Sequence, residues 1–329
     1  MIGRRYAQVA IVDAVATTCI GDQTAALQAA VAGRSGLVQD PTWGWLGKCQ
    51  DGNLHDLALG AACRAWRAIA EVPEPLAFSA SASKGDIAAL ITALAGQPEL
   101  LVPALAGGLD APLARALGIR SWVGTPVAAA CSTGLHGMLA AADLIEDGSC
   151  GRALVGAADR SLVPVLLAGF DNMGVLCGHR HPLESSKKDD RQGFAPAEGA
   201  GFIALQRGKG PWRLLGGVRL GDARHETHFQ DPRTLSCALE ALWAFCPDPE
   251  LLVVHGTGTN AGELYERAGL DTGPWATAPR LILKPIIGHC LGASSTVELA
   301  IAMQSKARRI WKLSLGFGGH LAAVAVQRD

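Results

Sequence analysis

Residues 123–145 read VGTPVAAACSTGLHGMLAAADLI, and residues 152–157 add the short apolar run RALVGA. The first nine of these residues, 123–131, are apolar or small and predict a buried strand. The following residues predict an amphipathic helix, because one face of it is apolar: Leu135, Met138, Leu139, Ala142 and Ile145. Asp147-Gly148 predicts the end of this helix, and residues 152–157 predict a second strand. A strand, sharp turn, helix and strand indicate an α/β fold, whose binding sites lie where strands end.

The same alternation of elements extends outward from this stretch in both directions. Upstream, the pattern predicts strands over 7–14 and 76–81 and helices over 22–32, 54–70 and 85–94. Downstream, it predicts strands over 213–220, 251–255 and 281–283, helices over 235–245 and 294–307, and two closing strands from residue 312. The Gly/Pro-rich break RGKGP at 207–211 separates the two series. We therefore expect a duplicated α/β unit with halves 1–207 and 208–329.

Composition limits the partners and the location that we expect. The chain has 329 residues, 49% apolar and 18% charged, which indicates a globular rather than a disordered protein. Its 29 Lys and Arg nearly balance its 30 Asp and Glu, so it lacks the positive field that nucleic-acid binding requires. Nine cysteines without a CxxC pair favour a reducing, cytoplasmic setting. No window holds about 18 consecutive apolar residues, so we expect no membrane span.

Cys131 stands at the predicted junction between strand and helix. Unpaired backbone N–H groups and the positive end of the helix dipole lower the pKa of a thiol at such a place and favour a nucleophilic thiolate. Two histidines each follow an apolar run and precede small residues: His255 in LLVVHGTGTNAG and His289 in LILKPIIGHCLGASS. Glycines beside an imidazole let a substrate approach it closely. Cys131 alone fits a buried structural cysteine better, but the three residues together favour catalysis.

Other kinds of site have weaker support in the sequence. The glycines at 256, 258 and 262 are spaced one residue too far apart for a dinucleotide loop, and no helix is predicted to begin there. Two groups have a spacing that a metal could use: Cys177, His179 and His181, and His225, His228 and Asp231. Solvated loop histidines explain both groups better. We therefore expect no cofactor and no metal.

Five segments resemble, in order, the motifs of the β-ketoacyl synthases, condensing enzymes of the thiolase fold that extend acyl chains in fatty-acid and polyketide synthesis. They are VAAACSTGLHGMLAAADLI at 127–145, PLESSKKDDRQGFAPAEGAGFIAL at 182–205, HGTGT at 255–259, KPIIGHCLGA at 284–293 and GFGG at 316–319. The likeness covers most of the chain. It implies a thiolase-like fold, in which two similar α/β halves form a layered α-β-α-β-α architecture.

The resemblance also implies a role for individual residues. Cys131 would carry the acyl group, and backbone N–H groups of Cys131 and Phe317 would stabilise the tetrahedral intermediate. His255 and His289 would hold the malonyl carbonyl and stabilise the enolate that forms as CO₂ leaves. Lys284 and Glu198 would form an ion pair that fixes the histidine loops. Phe317 would also act as the gate between the acyl and malonyl sites.

The activity that the resemblance implies is the decarboxylative condensation of a malonyl thioester with the acyl group on Cys131. The implied partners are an acyl carrier protein and a second subunit, which is either an identical chain or a related ketosynthase. Two alternatives stay open. The chain could be a chain-length-factor-like partner subunit, or an acyltransferase of the same fold that does not decarboxylate. Intact Cys131 argues against the first of these.

Some positions depart from the family pattern. Gln192 and Glu263 stand where the family has Asp, and His320-Leu321 follow GFGG in place of Thr-Asn. The stretch before the nucleophile and the stretch 221–236 are shorter than in typical members. These departures bear on substrate scope and on decarboxylation more than on the class of reaction. Three basic pairs could receive an acidic carrier protein, although ordinary solvated charges explain them equally well: Arg64/Arg67, Lys187/Lys188 and Arg308/Arg309.

Overall fold

The computed structural model describes residues 2–50, 52–72, 74–124, 126–187, 190 and 192–329. The strands are β1 (Arg4–Arg5), β2 (Val9–Thr18), β3 (Gly21–Asp22), β4 (Val38–Asp40), β5 (Gly44–Leu46), β6 (Leu76–Ser81), β7 (Arg152–Asp159), β8 (Gly199–Arg207), β9 (Trp212–Gly221), β10 (Leu251–Val253), β11 (Arg280–Leu281), β12 (Arg309–Gly316) and β13 (His320–Arg328). The α-helices are α1 (Gln23–Val31), α2 (Leu54–Trp66), α3 (Ile87–Leu94), α4 (Asp110–Ala116), α5 (Thr133–Glu146), α6 (Pro164–Asn172), α7 (Pro182–Lys187), α8 (Pro232–Phe245), α9 (Asn260–Leu270), α10 (Lys284–Ile287) and α11 (Ser294–Ala302).

One large mixed sheet organises the described part of the chain. Its strands lie in the order β11-β10-β12-β13-β9-β2-β8-β7-β6, with β1 added beside β9 and β3 beside β2. Strands β4 and β5 form a separate hairpin. Local sequence explains where the helices begin. The Asp22 carboxylate accepts the N–H groups of Thr24 and Ala25 at the start of α1, and Asn53 and Asp56 form a capping box at the start of α2.

The sheet has two matching parts that meet where β2 pairs with β9. From that seam outward, the order β2-β8-β7-β6 repeats as β9-β13-β12-β10, with two antiparallel pairings followed by one parallel pairing in each part. Beyond these strands, β11 pairs with β10, and a single bridge joins Val123 to Ala77 of β6. We propose that these two parts are the halves 1–207 and 208–329.

The match extends to the turns that lead into α5 and α11. A single 3₁₀ turn precedes each helix, Ala130–Ser132 before α5 and Leu291–Ala293 before α11. Each turn begins with a non-glycine residue at positive φ, 47° at Ala130 and 45° at Leu291. Cys131 and Gly292 therefore occupy equivalent places in the two parts.

Helices α5 and α11 pack closely against each other near their N-terminal ends. The N–H of Leu135 donates to Ser295 Oγ at 3.0 Å, and a Cβ added at Gly134 would lie 2.7 Å from Thr296 Cγ2. The glycine thus permits a close approach that a larger residue would prevent. All residues of α11 are buried. This crossing brings the two equivalent turns together in the middle of the molecule.

The strand expected over 123–131 is wrong. Val123 exchanges two backbone hydrogen bonds with β6, donating to Leu76 and accepting from Phe78. The chain then leaves the sheet edge, because Gly124 has a φ of 119° and Pro126 has no N–H to donate. Thr125 of the expected strand lies outside the described residues.

The remaining expected elements are present with shifted ends. The additional elements are the helices α4, α6, α7, α9 and α10 and the strands β1, β3, β4, β5 and β8. The sequence predicts no helix at the glycines of HGTGTNAG, and this prediction is wrong because α9 begins at Asn260. The Thr259 side chain caps it by accepting the N–H of Gly262. Much of α9 is polar and exposed, with Glu266, Gly269 and Leu270 buried, so its apolar face is short. This short face explains why the periodicity gave no helix there.

Candidate active site

Cys131 lies inside the molecule, at the turn before α5. Its residue surface is 8% exposed. Two features hold the turn in place. The hydroxyl of Ser132 donates to Ala129 O at 2.8 Å, and the Ser314 hydroxyl donates to Cys131 O at 3.1 Å. Gly316 lies so close that an added Cβ would be 2.5 Å from Ala129 O. The sulfur is therefore fixed between the start of α5 and the end of β12.

His289 lies within hydrogen-bonding distance of the nucleophile. Its Nε2 lies 3.2 Å from Cys131 Sγ, and its Nδ1 lies 2.8 Å from Ser294 Oγ. Backbone pairing fixes the residue as well, because its N–H donates to Ala195 O and its C=O accepts from Ala197 N. Burial and the charge of Lys284 hold the pKa of His289 well below its usual value, so the imidazole is neutral near pH 7.

His255 is the second imidazole of the site. Its ring centroid is 5.6 Å from that of His289, and the two rings are nearly perpendicular at 82°. Nδ1 of His255 is buried and has no hydrogen-bond partner among the described residues. Burial, with the charge of Lys284 second, also holds the pKa of His255 well below its usual value. Two neutral imidazoles thus meet beside one sulfur, and each has one N–H to donate.

Glu266 of α9 holds the backbone of the His255 loop. Its two carboxylate oxygens accept the N–H of His255 at 2.8 Å and the N–H of Gly256 at 2.6 Å. Lys284 holds the carbonyl group of His255, because its ammonium donates to His255 O at 2.5 Å. These contacts fix the His255 backbone without using its ring.

The expected ion pair between Lys284 and Glu198 is wrong. The ammonium of Lys284 pairs with Glu298 Oε1 at 2.7 Å, and that of Lys312 pairs with Glu298 Oε2 at 2.6 Å. All three side chains are at most 2% exposed. A carboxylate shared by two buried cations satisfies both in a setting where an unpaired charge is very unfavourable.

Glu198 has different partners. Its carboxylate accepts the N–H of Cys49 at 2.9 Å and pairs with Arg160 at 3.3 Å. Burial raises the pKa of this carboxyl. The segment that contains Glu198 does support the site through its backbone, because residues 195 and 197 pair with His289. The motif positions the histidine, but not through the carboxylate.

The expected lowering of the Cys131 pKa is also wrong. Burial raises the pKa of the thiol, and the positive charges of Lys84 and Lys284 offset this only in part. The backbone N–H of Phe317 also favours the thiolate by hydrogen bonding. The resting site therefore holds a neutral thiol beside a neutral imidazole.

A cavity of about 100 Å³ opens onto the sulfur and both imidazoles. Phe170, Phe194 and Leu291 form its apolar wall with Phe317, which is partly buried against them. Thr227, His228 and Phe229 close another side. The cavity therefore brings together Cys131, His255, His289 and Phe317, whereas Lys284 lies behind the histidines and Glu198 lies apart.

Sequence reasoning did not identify several residues that the site uses. Glu298 is the single charged residue within α11, and Lys312 is the single charged residue in the apolar run of β12 after Arg309. An isolated charge in a buried element signals a buried partner, so both could have been found. Ser294, Glu266 and Lys84 offered no such signal, because each stands at an element end or in a polar segment.

The two groups considered for metal binding do not form a site. No cluster of three metal-ligating side chains occurs in the part of the chain that the structure describes. His225 and His228 stack with ring centroids 3.8 Å apart, and His181 packs edge-on against Trp45.

Among the described helices, none is long and apolar enough to cross a bilayer.

The positions that depart from the family pattern are not among the residues that line the cavity. Glu263 lies in the first turn of α9 and accepts the N–H of Gly258, and His320 begins β13. Gln192 donates to Asp190 at 3.3 Å in an exposed segment.

Of the three basic pairs, Arg64 binds Ala16 O and Thr17, while Lys188 lies outside the described residues. Arg309 pairs with Glu250.

Comparison with known proteins agrees with the motifs. The family model of the β-ketoacyl synthase N-terminal domain matches residues 80–210. The 3-oxoacyl-acyl-carrier-protein synthase 2 of Vibrio cholerae is 30% identical over 199 residues, which are 54% of this chain and 48% of the relative. The chloroplastic 3-oxoacyl-acyl-carrier-protein synthase I of Arabidopsis thaliana is 31% identical over 193 residues, or 52% of this chain and 40% of the relative. The chain is therefore similar to β-ketoacyl synthases over these residues, and it spans about half the length of these curated relatives.

Solved structures confirm the thiolase-like fold over nearly the whole chain. A chain of AntDE:AntF, a type II polyketide synthase acyl carrier protein in complex with its ketosynthase, has a TM-score of 0.86 at 18% identity and covers 99% of this chain and 100% of that chain. A β-ketoacyl synthase from Burkholderia phymatum has a TM-score of 0.81 at 18% identity, with 99% and 100% covered. The ketosynthase ApeO with its chain length factor ApeC, from Xenorhabdus doucetiae, gives 0.82 at 19% identity, with 98% of each covered.

Proposed function

We propose that the chain is a condensing enzyme, which joins an acyl group held on Cys131 to the two-carbon unit that a malonyl thioester provides by losing CO₂. The observation that carries this proposal is the approach of His289 Nε2 to within 3.2 Å of Cys131 Sγ in a cavity that also contains His255. A nucleophile, its base and a second N–H donor are the parts that the reaction needs.

The first half-reaction loads the acyl group. Since thiol and imidazole are both neutral at rest, His289 Nε2 accepts the thiol proton as the sulfur attacks the thioester carbonyl. A carbon–sulfur bond forms at Cys131, the bond to the donor thiol breaks, and the proton passes to the departing thiolate. The Phe317 N–H, which points at the sulfur, and the N–H of Cys131 stabilise the oxyanion.

The second half-reaction uses the malonyl thioester. Its carbonyl oxygen accepts the N–H groups of His255 and His289, which stabilise the enolate as the carbon–carboxylate bond breaks and CO₂ leaves. In this step the His289 proton lies on Nε2, and Nδ1 accepts from the Ser294 hydroxyl. The enolate carbon attacks the acyl carbonyl on Cys131, and the sulfur departs as a thiolate that takes a proton from solvent to restore the resting thiol. Burial of both imidazoles keeps them neutral, which suits donors that do not exchange protons in this step.

Lys284 acts here as a positioning residue. It fixes His255 O directly, and Glu298 holds its ammonium in place from α11. Phe317 lines the cavity, with Gly318 at a φ of 81° beside it. We assign to it the role of gate between acyl and malonyl binding.

We assign the partners from the same resemblance. The donors are acyl and malonyl thioesters of an acyl carrier protein, the subunit is half of a homodimer or of a heterodimer with a related ketosynthase, and the location is the cytoplasm. Two of the structural relatives are described as complexes, one with an acyl carrier protein and one with a chain length factor. Nine unpaired cysteines in the described residues suit a reducing compartment.

Intact-protein mass spectrometry tests the proposal. The native chain and Cys131→Ala are each incubated with acyl-carrier and then malonyl-carrier protein, and CO₂ is measured in parallel. We expect one acyl group on the native chain, none on the variant, and CO₂ release that depends on the acyl load. Acylation without CO₂ would favour the acyltransferase, and no acylation with tight binding to a ketosynthase would favour the partner subunit.

A further inference from the structure

Lys84 brings a permanent charge to the cavity beside the nucleophile. Among the described residues that line this cavity, it is the one Lys, Arg, Asp or Glu. The other lining groups are apolar side chains, hydroxyls and imidazoles. The Lys84 side chain is partly buried, and the apolar surroundings on its cavity side favour an anionic ligand over a neutral one.

The position of Lys84 is fixed by its loop. The N–H groups of Ala82 and Asp86 donate to Ala106 O and Ala104 O, and so pin both flanks of the loop to one segment. Gly85 has a φ of 79°, and an added Cβ there would lie 2.0 Å from Ala104 O. The loop therefore fixes the backbone of Lys84 beside the cavity.

The ammonium of Lys84 has few partners of its own. It donates to Ser83 Oγ at 2.9 Å and lies 5.6 Å from the centroid of the Phe170 ring. The Ser83 hydroxyl in turn donates to the buried carboxylate of Asp159, which also accepts from Ser161 and from Gly292 N. An ammonium has three N–H donors, and the described contacts use one of them. Two remain for a ligand in the cavity, which Asp159 does not line.

We infer that Lys84 makes this an anion-selecting acyl site, which takes short acyl thioesters that carry a carboxylate, such as monothioesters of four- or five-carbon dicarboxylic acids. This inference rests on the proposed function and names its substrate class. The thioester carbonyl meets Cys131 while the distal carboxylate pairs with Lys84. A neutral chain of the same length would place methylenes against the ammonium, which is unfavourable.

The cavity volume agrees with a short group. At about 100 Å³ it is smaller than the roughly 150 Å³ apolar cavity that accommodates benzene. An acyl group of a few carbons fits such a space, and a long fatty chain does not. The charge and the volume therefore select the same class of substrate.

Alkylation of Cys131 tests the charge without using the proposed reaction. The thiolate displaces iodide from iodoacetate, which is anionic, or from iodoacetamide, which is neutral, and peptide mass spectrometry reads the rate at Cys131. We expect the ratio of the iodoacetate rate to the iodoacetamide rate to fall at least tenfold in Lys84→Met. Lys84→Arg keeps the charge and retains most of the ratio, and Lys209→Met, an exposed control, leaves it unchanged. An equal ratio in the native chain and Lys84→Met, even with both rates lowered, overturns the inference.

A second arm uses succinyl and butyryl thioesters of N-acetylcysteamine, which lack the phosphate of a carrier protein. An anion effect in this arm therefore comes from the acyl carboxylate. We expect the native chain to load succinyl at least tenfold faster than butyryl, and Lys84→Met to reverse this order. Butyryl loading as fast as succinyl in the native chain overturns the inference and leaves the proposed function standing. If neither thioester loads Cys131 while the alkylation ratio behaves as expected, the proposed function fails and the anion site stands.

Discussion

The Nε2 atom of His289 lies 3.2 Å from the Sγ atom of Cys131, although 158 positions separate the two residues in the chain. The equivalent turns before α5 and α11 produce this contact. Each of the two matching parts of the sheet has one such turn and helix, and the helices cross where Gly134 meets Thr296. The reactive pair is therefore a consequence of how these two helices pack.

The Cys131 thiol should be protonated at neutral pH and ionise late. Burial raises its pKa above the ordinary thiol value of about 8.5, so the thiolate fraction should keep rising as pH increases through 9. Iodoacetamide alkylation rates at Cys131, followed by peptide mass spectrometry from pH 6 to 10, measure this. N-acetylcysteine serves as the reference thiol and should level off earlier. A Cys131 rate that is already level below pH 7 would mean a resting thiolate–imidazolium pair instead.

Ser294→Ala should slow the loading of Cys131 about tenfold. The Ser294 hydroxyl holds His289 Nδ1 at 2.8 Å, and the loss of one buried hydrogen bond of about 1 to 1.5 kcal/mol corresponds to that factor. The measurement is the acyl-transfer rate under single-turnover conditions. Ser295→Ala is the matched control, because that hydroxyl accepts the N–H of Leu135 and does not contact the imidazole. Equal slowing in both variants would contradict a specific role for Ser294.

Glu298→Gln should destabilise the protein by about 3 kcal/mol or more. It leaves Lys284 and Lys312 buried without their shared carboxylate, and breaking a buried ion pair has a cost of about that size. Urea unfolding of the native and variant chains measures the change in the free energy of unfolding. Glu198→Gln should lose less stability than Glu298→Gln, because Glu198 has one cationic partner among the described residues, Arg160 at 3.3 Å, and that side chain is 19% exposed. If the two variants lose the same stability, Glu298 is not the central counter-charge.

Gly134→Ala should destabilise the chain by about 1 to 3 kcal/mol. The added Cβ would lie 2.7 Å from Thr296 Cγ2 and 2.8 Å from Ser295 Oγ, so α5 and α11 would have to separate. Gly137→Ala on the same helix meets nothing within 4 Å and should be neutral or stabilising by up to about 1 kcal/mol. Denaturant unfolding of both variants checks the pair. Two variants of equal stability would show that the helix crossing tolerates a wider separation.

Much of the fold and part of the site could be predicted from the sequence. Apolar periodicity located α5, β6 and β7, because these elements are buried along one face or throughout. The glycine-rich settings of His255 and His289 identified residues that the fold does bring to Cys131. The local sequence pattern was sufficient to predict an element wherever the buried residues of that element recur at helical or strand spacing.

The remainder depended on long-range packing. The segment after Val123 looked like a strand because it is apolar, but Gly124 and Pro126 prevent it from continuing along the sheet. The resemblance paired Lys284 with Glu198, whereas the path of α11 brings Glu298 to Lys284. The pKa of Cys131 depends on the total burial of the sulfur, which the helix start alone does not indicate.

The most direct test of the account is a single turnover of the isolated acyl-enzyme. The native chain is loaded with a labelled acyl group on Cys131, freed of donor, and mixed with malonyl-carrier protein while the enzyme, the carrier and CO₂ are followed by mass spectrometry. The account predicts that the label leaves Cys131 and appears on the carrier as a β-ketoacyl thioester, with one CO₂ for each transfer. It also predicts that His255→Ala retains the label on Cys131. A label that stays on the native chain, or leaves as free acid while the malonyl carrier remains intact, would contradict the account.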